Sequence, residues 1–291
     1  MNPRSRTFIK LGLLSLVASV VYLTGLTWGL PNKTLLAAVL PPGLDSPEFH
    51  RVLESTWRSM HERLGGNIMM ASQEITSYQG HHVAPGDWRV PPDILLNPIR
   101  SFYVRSAQDD EQSLLLILSK MRPKRLDFKP RIFLYGGAYV YPLGAWMGLA
   151  AVLGLGKLST SLAAYMPAPQ DIAGLYISGR LLSACAAALT ALLLYYQGRK
   201  WFGERAAFLA SLFFLLSSAV IVQAHIMKPH AVWCLLAVVL FFQCCRILES
   251  GSRRDYALAG AAAGAAAGAF LLATPLCAVV AAACALRIRA G

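Results

Sequence analysis

The chain has 291 residues, of which 56% are hydrophobic and 14% charged, and its mean hydropathy is +0.48. Soluble domains carry charge on about a quarter of their residues, so this deficit excludes an ordinary soluble protein and predicts an integral membrane protein. The net charge of +12 does not indicate nucleic-acid binding, because the Lys and Arg residues form short clusters between apolar runs, as topology determinants do.

The first predicted membrane span lies at the N-terminus. The uncharged run 11–30 is long enough, as a helix, to cross a bilayer once. A cleaved signal peptide is the alternative, but the run is long for one and the exit at 28–31 is not a small-x-small site. We predict that residues 1–30 form an uncleaved anchor with a cytoplasmic N-terminus, because basic residues precede the run: Arg4, Arg6 and Lys10.

Residues 31–171 are predicted to form a large external loop domain. An amphipathic helix begins at Ser46-Pro47, with apolar residues at three- and four-residue steps until Leu64. Residues 77–99 lack periodicity and are predicted to be irregular loop. A second helix is expected from about Gln108 to Met121.

The apolar segment 132–156 has no charged residue, so its hydropathy alone predicts a span. If it crossed the bilayer, the basic clusters near 199–205 and 246–254 would both lie outside. The positive-inside rule therefore favours a juxtamembrane segment that enters or lies along the outer leaflet without crossing.

Residues 172–291 are predicted to form a helical membrane domain. Four-residue spacing of Gly260, Gly264 and Gly268 predicts a smooth face for close helix packing. The chain is expected to be cut short at its C-terminus rather than finished. The fold class is an all-α, multi-span helical bundle, with spans expected near 174–196, 206–224, 230–246, 256–273 and 275–286.

Three consecutive acids, Asp109, Asp110 and Glu111, precede the apolar run 114–118 in a chain with only 15 acidic residues. Acids in a first helical turn stabilise the helix dipole, so capping explains them without chemistry. Their mutual repulsion offsets part of that gain and could instead raise one pKa toward that of a useful base. From spacing alone, both interpretations stay open.

Cations that could hold a phosphate lie in the membrane domain. Arg180 is one turn inside an apolar segment, where it serves a function or simply extends to the interface. His225 and Lys228 lie in a short turn between two spans, and ordinary interfacial residues would look the same. No metal site is predicted: His81-His82 is a weak signal without a suitably spaced carboxylate, and the six cysteines lie in or beside apolar runs.

Several segments resemble bacterial membrane glycosyltransferases of the GT-C superfamily, the protein mannosyltransferase and aminoarabinose transferase type. The resemblance rests on Gly-Arg-Leu-Leu-Ser at 179–183, Gly-Arg-Lys-Trp-Phe-Gly at 198–203 and the Arg-Arg-Asp-Tyr segment at 253–256 with the Ala-Gly-rich run after it. It also covers the aromatic Tyr-Pro segment 133–142, which contains Tyr141, and the exit at 28–31. Residues 32–103 are not covered and resemble an insertion.

The resemblance implies a polyprenyl-phosphate-linked sugar as donor and a hydroxyl acceptor at the outer face of the membrane. It assigns Asp110 as the general base and Glu111 as its neighbour. Charge and placement, not the resemblance, make Arg180, Lys228 and His225 the candidates for contacts with the phosphate, and Tyr141 is a further candidate for contact with the substrate. Gln108 and Asp109 replace the family's His and Pro, and Pro229 or His230 stands where a second acid is usual.

These replacements leave no support for a divalent metal, and no other cofactor is implied. The expected partners are the lipid-linked sugar, membrane lipid and an acceptor glycan, lipid or protein, with no nucleic acid. The expected location is the cell (inner) membrane. A non-catalytic module of a cell-envelope assembly, with residues 32–103 as a docking surface, is the second hypothesis, and a lipid-linked sugar carrier is the third.

Overall fold

The computed structural model describes residues 3–63, 92–159 and 164–289. These ranges contain no β-strand, and a single bridge joins Arg122 to Asp127. The predicted all-α membrane fold is therefore confirmed. The described ranges form these α-helices: α1 Pro3–Leu23, α2 Lys33–Val39, α3 Pro47–Arg63, α4 Pro92–Val104, α5 Asp109–Ser119, α6 Gly137–Val152, α7 Pro169–Phe202, α8 Glu204–Leu216, α9 Ser218–Ala224, α10 His230–Glu249, α11 Arg253–Ala269 and α12 Leu276–Arg289.

Within the described ranges, four helical segments are long and apolar enough to cross a membrane: Ser5–Leu23, Pro169–Phe202, His230–Glu249 and Leu271–Arg289. A fifth candidate is the pair α8 and α9, which is bent by 60° at Ser217. At 1.5 Å per residue, the 34 residues of α7 extend about 51 Å, well beyond the roughly 30 Å of a bilayer core. The chain is a multi-pass membrane protein, and the exact set of crossings stays a prediction.

Helix α6 covers the middle of the segment 132–156. Its 16 residues extend about 24 Å, which is less than the thickness of a bilayer core. The indole N–H of Trp146 donates to the Ser178 carbonyl at 2.7 Å and joins α6 to α7. The non-crossing placement of this segment stays a prediction.

The chain divides into two compact units. In the unit that comprises residues 1–28, 110–155 and 176–291, small and apolar side chains form two buried clusters. In the first, Leu14 and Tyr22 of α1 pack with the alanines of α7 and with Leu215 of α8. In the second, Leu240 and Ile247 of α10 pack with α11 and α12. Alanines are frequent in both clusters, and small side chains of this kind allow helices to pack closely.

The predicted glycine packing face of α11 is wrong at two of its three positions. Gly260 and Gly264 are exposed, and a Cβ placed on either would meet nothing within 4 Å. The buried stripe is instead made of alanines, namely Ala259, Ala262, Ala263, Ala266 and Ala269. Only Gly268 is used for close approach, where a Cβ would lie 3.2 Å from that of Ala138.

The second unit comprises residues 29–109 and 156–175. The amphipathic helix predicted after Ser46 is α3, and it packs against α4. Residues 92–99, predicted as irregular loop, are instead the first part of α4, while 77–91 lie outside the described residues. The buried Tyr103 of α4 donates to Asp45 at 2.8 Å, and Arg100 stacks on Trp57 with 3.9 Å between the guanidinium and the ring centroid.

Candidate active site

A buried ion pair lies beneath the start of α5. Glu111 is fully buried, and Arg180 of α7 is 1% exposed. Arg180 donates through Nε to Oε1 at 2.9 Å and through Nη2 to Oε2 at 2.8 Å, which is a bidentate contact. The backbone N–H of Met227 donates to the same Oε1 at 2.7 Å. Residues that are distant in the chain thus converge on one carboxylate.

Arg180 also binds the backbone just beyond the C-terminal end of α1. Its Nη1 donates to the carbonyls of Leu26 at 2.6 Å and Trp28 at 2.8 Å, both beyond the end of that helix. Four of the five guanidinium N–H groups are therefore used. Burying two charges costs several kcal/mol per ion, and only well-aligned hydrogen bonds of this kind offset the cost. The sequence predicts that Arg180 binds substrate phosphate, but in the structure its donors bind protein oxygens.

Asp110 occupies a different environment from its neighbour. Its side chain is 43% exposed, and the ammonium of Lys228 contacts its carboxylate. Because α5 advances 100° per residue, anchoring Glu111 inward leaves Asp110 on an adjoining, solvent-accessible face. The structure thus pairs four of the predicted site residues, Asp110 with Lys228 and Glu111 with Arg180.

The other predicted site residues contact different groups. Asp109 belongs to the second unit, is 87% exposed, and faces Arg105 at 3.5 Å. The ring of His225 contacts two backbone carbonyls, with Nδ1 at 2.7 Å from Ile221 and Nε2 at 2.8 Å from Thr24. His225 therefore connects the turn after α9 to the segment that follows α1.

Tyr141 does not join the acids in any described contact. Its side chain is 47% exposed and its ring lies beside Gly137. The buried tyrosine of this segment is Tyr139, two positions earlier. Two positions on a helix differ by about 200°, so the two rings point to opposite sides of α6.

Aromatic side chains near Asp110 form a group that the sequence did not single out. Tyr135 lies 6.4 Å from Tyr139 and 6.4 Å from Phe270 between ring centroids, and His230 lies 5.1 Å from Phe270. Both tyrosines belong to the aromatic segment 133–142, but Tyr135 precedes α6, so helical spacing does not predict their contact. Nothing in the sequence predicts that Phe270 joins them.

Electrostatics couple this aromatic group to the acids. Burial and, next, the negative charge of Asp110 raise the pKa of Tyr135 to about 12. Burial raises the pKa of Tyr139 as well, and the neighbouring Tyr135 adds to that shift. Both phenols therefore keep their protons at neutral pH and can donate a hydrogen bond, but they cannot serve as bases.

Gly136 makes the position of Tyr135 geometrically feasible. Its N–H donates to the Ala269 carbonyl at 3.1 Å, so the segment before α6 lies directly on the end of α11. A Cβ at this position would be only 1.8 Å from the Gly268 carbonyl oxygen. Glycine is the residue that allows two backbones to approach this closely.

The described residues offer no cluster of three or more His, Cys, Asp or Glu side chains that could hold a metal ion. Around Asp110 the neighbours are a lysine and aromatic rings, and an ammonium in contact with the carboxylate competes with a divalent cation for it. Among the described residues, the donors around Asp110 therefore do not suit a metal ion. His81-His82 lies outside the described residues.

Comparisons with known proteins address the membrane domain. The family model of dolichyl-phosphate-mannose-protein mannosyltransferases matches residues 172–286. No curated protein matches the chain, and no solved structure does. The matched range holds Arg180, Lys228, His230 and Phe270, whereas Asp110 and Glu111 precede it. Residues 172–286 are therefore similar to the dolichyl-phosphate-mannose-protein mannosyltransferases, a GT-C glycosyltransferase family, in agreement with the sequence resemblance.

Proposed function

We propose that the protein transfers a sugar from a polyprenyl-phosphate donor to an acceptor hydroxyl, with Asp110 as the general base. One observation carries the assignment of the base. Asp110 is a solvent-accessible carboxylate in contact with a lysine, and the adjacent residue, Glu111, is anchored by a buried arginine. A base must reach the acceptor proton and keep a fixed position, and this arrangement supplies both.

The proposed reaction is a displacement at the anomeric carbon. Asp110 accepts the proton of the acceptor hydroxyl while the oxygen forms a bond to the anomeric carbon. The bond between that carbon and the phosphate oxygen breaks, and its electron pair leaves with the polyprenyl phosphate. The proton on Asp110 then passes to solvent, so charge and atoms balance over one turnover.

Lys228 has two roles in this proposal. Its ammonium contacts the Asp110 carboxylate and thereby helps to fix the orientation of the base. As the donor binds, the ammonium also lies where it can stabilise the negative charge that develops on the departing phosphate. The phenol of Tyr135 and the ring of Phe270 provide an apolar surface with one hydrogen-bond donor, which suits a sugar ring.

Glu111 and Arg180 act as positioning residues rather than as catalytic ones. The hydrogen bonds of Arg180 all go to protein oxygens, so it has little capacity to bind a phosphate. Its pairing with Glu111 fixes the first turn of α5, and that turn carries Asp110. Transfer at the outer face of the membrane is expected from the predicted topology, in which residues 31–171 are external.

The test compares Asp110→Asn with the matched control Asp109→Asn, since both acids lie in the first turn of α5 and both carboxylates are accessible to solvent. The full chain is reconstituted with polyprenyl-phosphate-mannose, and release of polyprenyl phosphate is measured with a membrane extract as the source of acceptor. Loss of a general base should lower the rate about 10²–10⁴-fold in Asp110→Asn, while the control changes little. Equal rates in both variants would refute the assignment of Asp110.

A further inference from the structure

A basic hairpin that includes residues 120–134 lies between α5 and α6, outside the proposed site. The range 120–131 contains one acid and six basic residues, namely Lys120, Arg122, Lys124, Arg125, Lys129 and Arg131. We propose that this hairpin is a docking surface for anionic phospholipid headgroups.

The backbone of the hairpin is closed by its own hydrogen bonds. Arg122 and Asp127 exchange N–H to carbonyl bonds at 2.7 and 3.2 Å, and the Arg125 N–H donates to the Arg122 carbonyl at 2.8 Å. Arg131 pairs with Asp127 and donates to the Lys120 carbonyl at 2.6 Å. The single acid of the hairpin is thereby paired internally, and the hairpin as a whole keeps a strong positive charge.

Exposed apolar side chains accompany the cations. Leu126, at the tip, is 83% exposed, and Phe133 is 81% exposed, with Phe128 and Leu134 about half exposed. Arg122, Arg125 and Lys129 are exposed as well, and the side chains of the last two form no ion pair within the described residues. At a membrane surface, apolar side chains can enter the acyl-chain boundary while neighbouring cations bind anionic headgroups. The side chains of the hairpin suit both contacts.

Leu126 supplies an independent argument. Its φ of 55° places it in the left-handed region, which leucine rarely adopts and which favours glycine or asparagine. In water this residue is thus unfavourable in both conformation and exposure. An apolar phase that covers the side chain removes the second disadvantage and explains why a large apolar residue stands at the tip.

The six basic residues of the hairpin are better explained by lipid binding than by a role in setting the membrane topology. Six cations would be out of place on the external side under the positive-inside rule, and residues 31–171 are predicted to lie there. Each basic residue near an anionic surface contributes about 1 kcal/mol, or roughly 5-fold in binding. Removing two cations should therefore weaken docking roughly 30-fold.

The experiment uses the full chain in nanodiscs, in which both membrane faces are accessible to a protease. Tryptic cleavage of the Arg125–Leu126 bond is timed in discs of phosphatidylcholine and in discs that contain phosphatidylglycerol at about one third. We expect cleavage to slow severalfold in the anionic discs and to recover at high salt, because salt screens the attraction. Cleavage after Arg51, an exposed arginine of α3, serves as the internal control and should be the same in both discs.

Two variants separate docking from general stability. Leu126→Gly relieves the backbone conformation yet removes the apolar tip, so it should fold at least as well and lose the protection. Arg122→Gln with Lys129→Gln keeps the cleavage site and should lose the protection as well. Equal cleavage of the wild-type protein in both discs would overturn the proposal. Protection that arises only when polyprenyl phosphate is added to phosphatidylcholine discs would overturn it too, by assigning the hairpin to that lipid instead.

Discussion

The buried pair of Glu111 and Arg180 predicts a large and non-additive loss of stability. Glu111→Gln leaves the guanidinium without a counter-ion in a site where Arg180 is 1% exposed. Arg180→Met leaves the carboxylate with the Met227 N–H as its donor, and it leaves the Leu26 and Trp28 carbonyls without theirs. Breaking a buried pair by removing one partner costs roughly 3–5 kcal/mol, so each single variant should lose about that much.

The double variant should be much less destabilised than the sum of the two. With both charges removed, no uncompensated ion remains, and the amide oxygen introduced by Glu111→Gln can still accept from the Met227 N–H. We expect an interaction free energy of about 2–3 kcal/mol in favour of the double variant. Replacement of both ions by neutral side chains of similar volume is often close to neutral.

The assay is thermal unfolding of the detergent-solubilised full chain, combined into a double-mutant cycle. At about 2–4 °C per kcal/mol, each single variant should lower Tm by roughly 6–20 °C. Asp109→Asn, which alters an exposed acid of the same helical turn, should shift Tm by no more than about 2 °C. Singles that unfold like the wild-type protein, or a double variant whose loss equals the sum, would refute the reasoning that the pair is coupled and buried.

Three further changes test other parts of the structure. Gly136→Ala places a methyl group against the Gly268 carbonyl and should lower the free energy of unfolding by about 1–3 kcal/mol. The control Gly264→Ala places its methyl group in open space and should leave the free energy of unfolding unchanged or raise it by up to about 1 kcal/mol. Tyr135→Phe should retain donor binding better than Tyr135→Ala in a titration with polyprenyl-phosphate-mannose, because the ring survives. Hydrogen bonds from Ser250 and Ser252 and the nearby Arg246 hold the pKa of Asp255 below its usual range, so its stabilising contribution is complete above about pH 4 and is lost as pH falls further. The Tm difference between wild type and Asp255→Asn should shrink below about pH 4, and a constant difference would contradict this assignment.

Local patterns in the sequence were enough to predict α3 and α5. Ser46-Pro47 supplies a cap and a first-turn proline, and the acids before Leu114 mark the other helix start. The helix Pro92–Val104 escaped prediction because Pro98 and the absence of clear apolar periodicity suggest a loop. Its packing against α3 compensates for weak local signals, and such compensation is a tertiary effect.

The separation of Asp110 from Glu111 could not be read from the acids themselves. Adjacent residues on a helix point about 100° apart, and which one faces inward depends on a partner found 69 residues later, Arg180. The predicted packing face of glycines on α11 was wrong for a related reason. Ala259, Ala263 and Gly260, Gly264 repeat at the same spacing, so periodicity could not tell the packed face from the exposed one.

Arg180 also affects the order in which the protein can be assembled during synthesis. The carbonyls of Leu26 and Trp28 that it binds are made 154 and 152 residues before it. At roughly 5–20 residues per second, α1 leaves the ribosome about 8–30 s before its exit can be closed. Such long sequence separation makes this contact late. Because the same guanidinium binds Glu111, the first turn of α5 gains this anchor only after Arg180 of α7 has been synthesised.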